Sequence, residues 1–184
     1  MGLVYFKQGL LDIAISTFKN SLSIRLQQQK YDAADIAVVL FNIAAIHLEK
    51  GETDKAINVY KQTLDYEYKA TNKTKTDIVA TLQCLAQAHQ LRGDLAEAVE
   101  YYEEAVAYCV SSPNIKPNVQ IVELLSCIGN IYLEIGNTDK AMEAYTMVLR
   151  INQITGIDDH INIVTDGMEF YELIKEHGEN APAA

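Results

Sequence analysis

The sequence lacks any long hydrophobic run and any recognisable targeting segment. Apolar stretches such as Ile36–Leu40 are far too short to cross a bilayer, and no basic segment followed by an apolar one stands at the N-terminus. We therefore expect no membrane insertion. A targeting signal could lie outside this sequence if the chain is a fragment. With 49% hydrophobic residues in 184, the chain can bury one continuous core, which excludes a disordered protein.

Basic charge is scarce as well. Lys and Arg total 15 against 25 Asp and Glu, which gives a formal net charge of −10. Such a chain repels phosphate backbones unless a basic patch overrides the net charge. The densest basic stretch, residues 69–75, has its three lysines among turn-forming residues, a pattern typical of a solvated loop. We predict that nucleic acid is not a partner.

Cysteines are few and far apart. Cys84, Cys109 and Cys127 give an odd count at wide spacing, which is neither a disulfide framework nor a zinc-binding pattern. A reducing intracellular compartment, with the cytoplasm as first choice, fits this usage. We expect no metal and no cofactor.

What the sequence has in abundance is repetition. Residues 51–60 read GETDKAINVY and residues 136–145 read GNTDKAMEAY. Glycines recur at spacings of 42, 42, 43 and 42, at Gly9, Gly51, Gly93, Gly136 and Gly178. Further positions follow the same register. Seven residues before the first four glycines stand small residues, five after them stands alanine, and nine after them stands an aromatic ring: Gly2, Ala44, Ala86 and Gly129; Ala14, Ala56, Ala98 and Ala141; Phe18, Tyr60, Tyr102 and Tyr145.

The spacings within a repeat are helical. Positions five, nine and thirteen after the glycine share one face of an α-helix, and positions eleven, eight and seven before it share a face of the preceding helix. Each repeat is therefore predicted to be a helix, a tight turn with a left-handed glycine, and a second helix, with Thr53 and Thr138 as candidate N-caps. The small residues are expected where the helices cross closely, with the aromatic ring filling the wedge toward the next repeat.

Residues 44–60 (AAIHLEKGETDKAINVY) and 129–145 (GNIYLEIGNTDKAMEAY) resemble tetratricopeptide repeats. The usual repeat of that family has about 34 residues, so a longer period adds about one turn per helix. This longer form is similar to the repeats of kinesin light chains, whose helix starts resemble Asp35-Ile36-Ala37 and Asp77-Ile78-Val79 here. The resemblance implies an all-α, right-handed superhelical solenoid of antiparallel helix pairs, with about nine helices.

One domain is expected over residues 1–184. It comprises a truncated first repeat at 1–34, full repeats at 35–76, 77–118 and 119–160, a capping helix at 161–178 and a flexible tail at 179–184. Hairpins of this kind cannot bury their apolar faces alone and must stack on one another.

The resemblance also implies where a partner binds. In tetratricopeptide folds the first helix of each repeat lines a concave groove, at positions ten, six, three and two before the glycine. In this chain the predicted groove residues are Phe6, Lys7, Phe41, Ala45, Leu48, Glu49, Gln83, Gln87, Gln90, Leu91, Ser126, Asn130, Leu133 and Glu134, with Leu3 joining them if the first helix is ordered. Phe41, Leu48 and Leu133 offer apolar anchors, whereas the amide side chains can bond a peptide backbone or simply be solvated.

Candidate reactive groups have plainer explanations. His47 and His89 occupy the same position of their repeats, four residues before the turn glycine, where other repeats have tyrosine. This recurrence favours a packing role over metal binding. Cys84 and Cys127 also share a slot and are expected to be small buried side chains, while Glu103 and Glu104 are expected on a solvated face. No catalytic residue is predicted.

Two functions remain open at this point. The first is a non-catalytic interaction module, an adaptor or scaffold that binds a peptide segment of a protein partner in the groove. The alternative is a structural protein that forms homo-oligomers through the open ends of its solenoid.

Overall fold

The computed structural model describes residues 1–28, 32–70, 75–111 and 119–155, and within these ranges the chain is all helical with no strand. The eight helices are α1 (Gly2–Lys7), α2 (Leu11–Leu26), α3 (Ala33–Glu49), α4 (Thr53–Lys69), α5 (Lys75–Arg92), α6 (Leu95–Val110), α7 (Val119–Ile135) and α8 (Thr138–Thr155). The all-α prediction is confirmed. The capping helix predicted at 161–178, Gly178 and the tail at 179–184 lie outside the described residues.

The chain divides into two compact units, an N-terminal unit (Met1–Tyr108) and a C-terminal unit (Cys109–Ala184). In the N-terminal unit, α2 packs on α3 and α4 packs on α5, so each second helix contacts the first helix of the next repeat; α3 and α5 also touch. In the C-terminal unit, α7 packs on α8. The single domain and its repeat boundaries stay a prediction.

The turn glycines adopt the left-handed conformation that the sequence predicts. Gly51 has a φ of +71° and Gly93 a φ of +91°, and the glycines of the other two described turns are alike. At Gly51 the turn is closed by two backbone bonds, from Gly51 N to the Leu48 carbonyl and from Glu52 N to the His47 carbonyl. This closure satisfies carbonyls left open at the end of the first helix and reverses the chain within a few residues.

The predicted N-caps are wrong by one residue. Helix α4 begins at Thr53 itself, so the cap position belongs to Glu52, which makes no side-chain capping bond. At α8 the N-cap is Asn137, whose side chain accepts a hydrogen bond from Lys140 N at 3.2 Å. This is the role that the sequence predicted for Thr138. The short turn leaves the threonines already inside the first helical turn.

The aromatic ring of each end repeat lies directly over the small residue of the same repeat. A Cβ atom built on Gly129 would stand 2.6 Å from Tyr145 Cε1, and one on Gly2 would stand 2.7 Å from Phe18 Cε2. The sequence predicted that the ring fills the wedge toward the next repeat, and the structure adds this contact within its own repeat. Tyr60, the ring at the same position of the second repeat, packs edge-on against Phe41 of its own repeat.

Neighbouring repeats of the N-terminal unit are also joined by ion pairs in register. Lys50, just before one turn glycine, bonds Asp12 of the preceding repeat at 2.6 Å, and Arg92 bonds Asp54 in the same relation at 3.0 Å. Both pairs are solvent-exposed, so they orient the turns more than they stabilise the stack.

Candidate functional site

Helix α3 is covered on most of its surface but open along one stripe. Its packed faces carry eight buried side chains, Ile36, Ala37, Val39, Leu40, Ile43, Ala44, Ile46 and His47. The open stripe runs through Val38, Phe41, Ala45 and Leu48, at helical spacings of three and four. Val38 is 60% exposed and the other three are half-buried. A solvated helix face is normally polar, so an open stripe made of apolar residues calls for an occupant.

Phe41 holds a fixed place in that stripe. Its ring centroid lies 5.6 Å from that of Tyr60 with the planes at 66°, an edge-to-face contact. Tyr60 is itself only 1% exposed, so one edge of Phe41 rests on the core while the rest reaches the surface. Phe41 is therefore an ordered, partly exposed apolar side chain, and its role as an anchor for a partner stays a prediction.

Helix α5, which touches α3, presents a different chemistry. Gln87 is exposed, Gln83 and Gln90 are half-buried, and none of the three makes a side-chain hydrogen bond within the part of the chain that the structure describes. Each amide therefore keeps its donors and acceptors for solvent or for a ligand. Leu91, near the C-terminal end of α5, is 71% exposed. Gln83, Gln87, Gln90 and Leu91 form the open stripe of α5.

We call the open stripes of α1, α3 and α5 the first-helix face of the N-terminal unit. Helix α1 contributes Leu3, which is 52% exposed, half-buried Phe6 and exposed Lys7. Among the predicted binding residues on this face, Lys7 and Glu49 are the charged ones, and each stands two residues before a turn glycine. Between Glu49 and Asp35, which stands on the first turn of α3 and pairs with Arg25 of α2, the open stripe of α3 carries no Asp, Glu, Lys or Arg.

The predicted residues of the C-terminal unit behave differently. Ser126 is buried, at 5% exposure, and its hydroxyl donates to the Val122 carbonyl at 2.8 Å, so its prediction as a groove residue is corrected: it has no surface to offer. Asn130 is exposed, but its Oδ1 accepts the Tyr145 hydroxyl at 2.5 Å. Burial raises the pKa of Tyr145 to about 12, which keeps that hydroxyl protonated as a donor. Leu133 is half-buried and Glu134 exposed.

The two histidines are packing residues, as predicted, but each has a partner that the sequence analysis missed. His47 Nδ1 lies 2.6 Å from Glu52 Oε2, and His89 Nδ1 lies 3.4 Å from Asp94 Oδ2. Both carboxylates directly follow a turn glycine, and this recurrence was the available signal. Burial, reinforced by the cations Lys61 and Arg92, lowers the pKa of His89, so its imidazole is neutral at physiological pH.

The remaining reactive groups are poorly suited to catalysis. Burial raises the pKa of the Cys84 thiol, the opposite of what a nucleophile needs. Glu103 is exposed as predicted, whereas Glu104 is half-buried and accepts the Tyr68 hydroxyl at 2.8 Å. Within the described ranges, no cluster of three or more His, Cys, Asp or Glu side chains could hold a metal ion. No described helix combines the length and apolarity needed to span a membrane.

Comparison with solved structures shows the same fold at low sequence identity. BtubC (BKLC) from P. vanneervenii is 14% identical, with a TM-score of 0.74 over 100% of this chain and 80% of that one. TPR-like repeats of a putative kinesin light chain from Podosopora anserina are 16% identical, with a TM-score of 0.67 over 98% and 94%. PlcR from Bacillus thuringiensis, solved with the peptide PapR7 and DNA, is 17% identical, with a TM-score of 0.63 over 84% and 53%.

Sequence comparison identifies the family. No curated protein matches the chain. A family model described as tetratricopeptide repeat matches residues 1–66 and 77–154, which is more than half of the sequence and includes all four described turns. The chain therefore belongs to the tetratricopeptide repeat family.

Proposed function

We propose that this protein is a non-catalytic interaction module, an adaptor or scaffold that binds a peptide segment of a partner protein on its first-helix face. One observation carries the proposal: α3, buried on its other sides, leaves a line of apolar side chains open beside the unbonded amides of α5. Apolar anchors next to free hydrogen-bonding groups are what a peptide needs from its receptor.

Two further observations support a protein partner. PlcR shares the fold and has been solved with a bound peptide, PapR7. The net charge of −10 disfavours nucleic acid and anionic lipid as partners. An intracellular, reducing location fits as well, because Cys84, Cys109 and Cys127, all within the described residues, form no disulfide.

Replacing Gln87 and Gln90 together by lysine is expected to weaken peptide binding at least tenfold while leaving the helical circular dichroism unchanged. Two adjacent positive charges would alter a face that is uncharged at this point, and both side chains reach solvent, so the fold tolerates them. The measurement is fluorescence anisotropy with a peptide selected on the wild-type protein from a random display library.

The matched control is Asn58→Lys with Gln62→Lys, two exposed positions on α4 that add the same charge away from the face. The control should bind the peptide like the wild type. Equal binding by all three proteins would move the site off the first-helix face.

The alternative function, self-association, has its own supporting observation. Met1 and Val4 are 83% and 50% exposed, although the same slots in the next repeat hold Ile43 and Ile46, at 3% and 0%. Ile46 is buried against Ala14 and Ile15 of α2. Val4 therefore presents an apolar surface of the kind that packs against a helix. In a homo-oligomer, a helix of a second copy of the chain would cover it.

Light scattering at several concentrations tests self-association. If the α1 surface pairs copies of the chain, the average mass should rise with concentration, and Val4→Glu should hold it at the monomer value. A wild-type mass that is monomeric and independent of concentration would rule this alternative out.

A further inference from the structure

The first-helix face is chemically selective, and from this selectivity we infer the class of its ligand. Resting on the function proposed above, we propose that the occupant is an extended, uncharged peptide segment. Its apolar side chains lie along α3, and its backbone hydrogen-bonds to the glutamines of α5.

The apolar character of the ligand follows from the exposed aliphatic side chains of the face. Val38 on α3 is 60% exposed, Leu3 on α1 is 52% exposed and Leu91 on α5 is 71% exposed. Phe41 and Leu48, which follow Val38 along the open stripe of α3, are half-buried. Covering such side chains removes apolar area from water at about 25 cal/mol per Å², so apolar ligand side chains gain most here.

The uncharged part follows from the electrostatics of the face. The chain carries a net charge of −10, yet the middle of this face has no Asp, Glu, Lys or Arg side chain. Lys7 and Glu49 stand at the last turns of α1 and α3, and Asp35 and Asp77 at the first turns of α3 and α5. A charged ligand residue in the middle of the face would lose its water without meeting a countercharge, which costs free energy. An acidic or basic segment is therefore disfavoured relative to a neutral one.

The extended part follows from the glutamines. Gln83, Gln87 and Gln90 offer both donors and acceptors and have no side-chain hydrogen bond within the described part of the chain. A helical ligand has already paired its own backbone groups and could offer them little. An extended backbone presents alternating N–H and C=O groups, which match the amide side chains in both roles.

The test uses the whole chain and a display library of random linear peptides. We expect the selected peptides to be rich in apolar and poor in charged residues. Their affinity for the protein should change less than twofold between about 0.05 and about 0.5 M sodium chloride. Val38→Glu should weaken binding about tenfold and Gln87→Ala about threefold. Matched controls are Ile24→Glu, at a 62% exposed aliphatic residue of α2, and Gln62→Ala on α4.

Backbone recognition is tested on the same peptide by N-methylation of its central amides. If Gln87 accepts one of those N–H groups, methylation should weaken binding to the wild type several-fold but change binding to Gln87→Ala much less.

The outcomes separate the two proposals. Charged selected peptides whose binding collapses in salt, or an equal N-methylation penalty on both proteins, would overturn the ligand class while leaving the binding face intact. Selected peptides that bind Val38→Glu and the Gln87/Gln90 lysine variant as well as the wild type, or no selected peptides at all, would overturn the proposed function.

Discussion

Gly129→Val is expected to lower the free energy of unfolding by about 3 kcal/mol, measured by urea denaturation. A Cβ atom at this position would lie 2.6 Å from Tyr145 Cε1 and 2.8 Å from its Cζ, far inside van der Waals contact. Tyr145 cannot swing aside easily, because it is 0% exposed and its hydroxyl is bonded to Asn130. On helix propensity alone, valine would be better than glycine by a few tenths of a kcal/mol, so the sign of the change reports the clash.

Glu123→Val is the matched control, since Glu123 is an exposed residue of the same helix. It should change stability by about 0.5 kcal/mol or less. A Gly129→Val protein as stable as this control would mean that the aromatic ring does not rest on the small residue, and the packing described for the repeat would be wrong.

Glu67→Gln is expected to flatten the pH dependence of stability between about pH 4.5 and about pH 7. Glu67 lies on α4 at 7% exposure. Its Oε1 accepts the Thr81 hydroxyl of α5 at 2.8 Å, and its Oε2 has no hydrogen-bond partner in the described part of the chain. Burial, with a smaller contribution from the negative charge of Asp77, raises the pKa of Glu67 to about 7, although the bond from Thr81 opposes the rise.

The sign follows from linkage. Because the folded state holds this proton more tightly than the unfolded state, the proton's contribution to stability is complete below about pH 4.5 and is lost as the pH rises through about 7. Glutamine cannot ionise, so the variant should gain on the order of 2 kcal/mol relative to the wild type between about pH 5 and about pH 8.

Urea denaturation at a series of pH values measures this difference, with Glu97→Gln as the control because Glu97 is exposed on α6. The control should follow the wild type throughout. Parallel profiles for all three proteins would show that the Glu67 carboxylate is already ionised in the folded state.

The helix pairs and their turns could be predicted from the sequence because they depend on local properties. A glycine with positive φ, a helical spacing of apolar residues and a small residue facing an aromatic are written within one repeat and then copied. The eight described helices follow this register, and Gly51 and Gly93 take up the predicted conformation. The error at Thr53 is a shift of one residue, which is common at helix ends.

The binding face was predicted less evenly, because equivalent slots in the repeats are not equivalent surfaces. Phe41, Gln83 and Ser126 share one slot, yet Ser126 is buried while the other two are half-exposed. A serine side chain is too short to rise above its neighbours and bonds instead to a carbonyl of its own helix. Side-chain length and local cover, not register, decide what a ligand can reach.

The sequence by itself determined the repeat, its paired helices, the left-handed turns and the family, since each depends on residues close together in the chain. Only the tertiary structure decided that Glu67 is buried against Thr81, that the histidines meet carboxylates across their turns, and that α3 keeps an apolar stripe open beside the α5 amides. These features arise where separate helices meet, and the burial, bonding or exposure of a side chain there depends on the neighbouring helix as much as on its own.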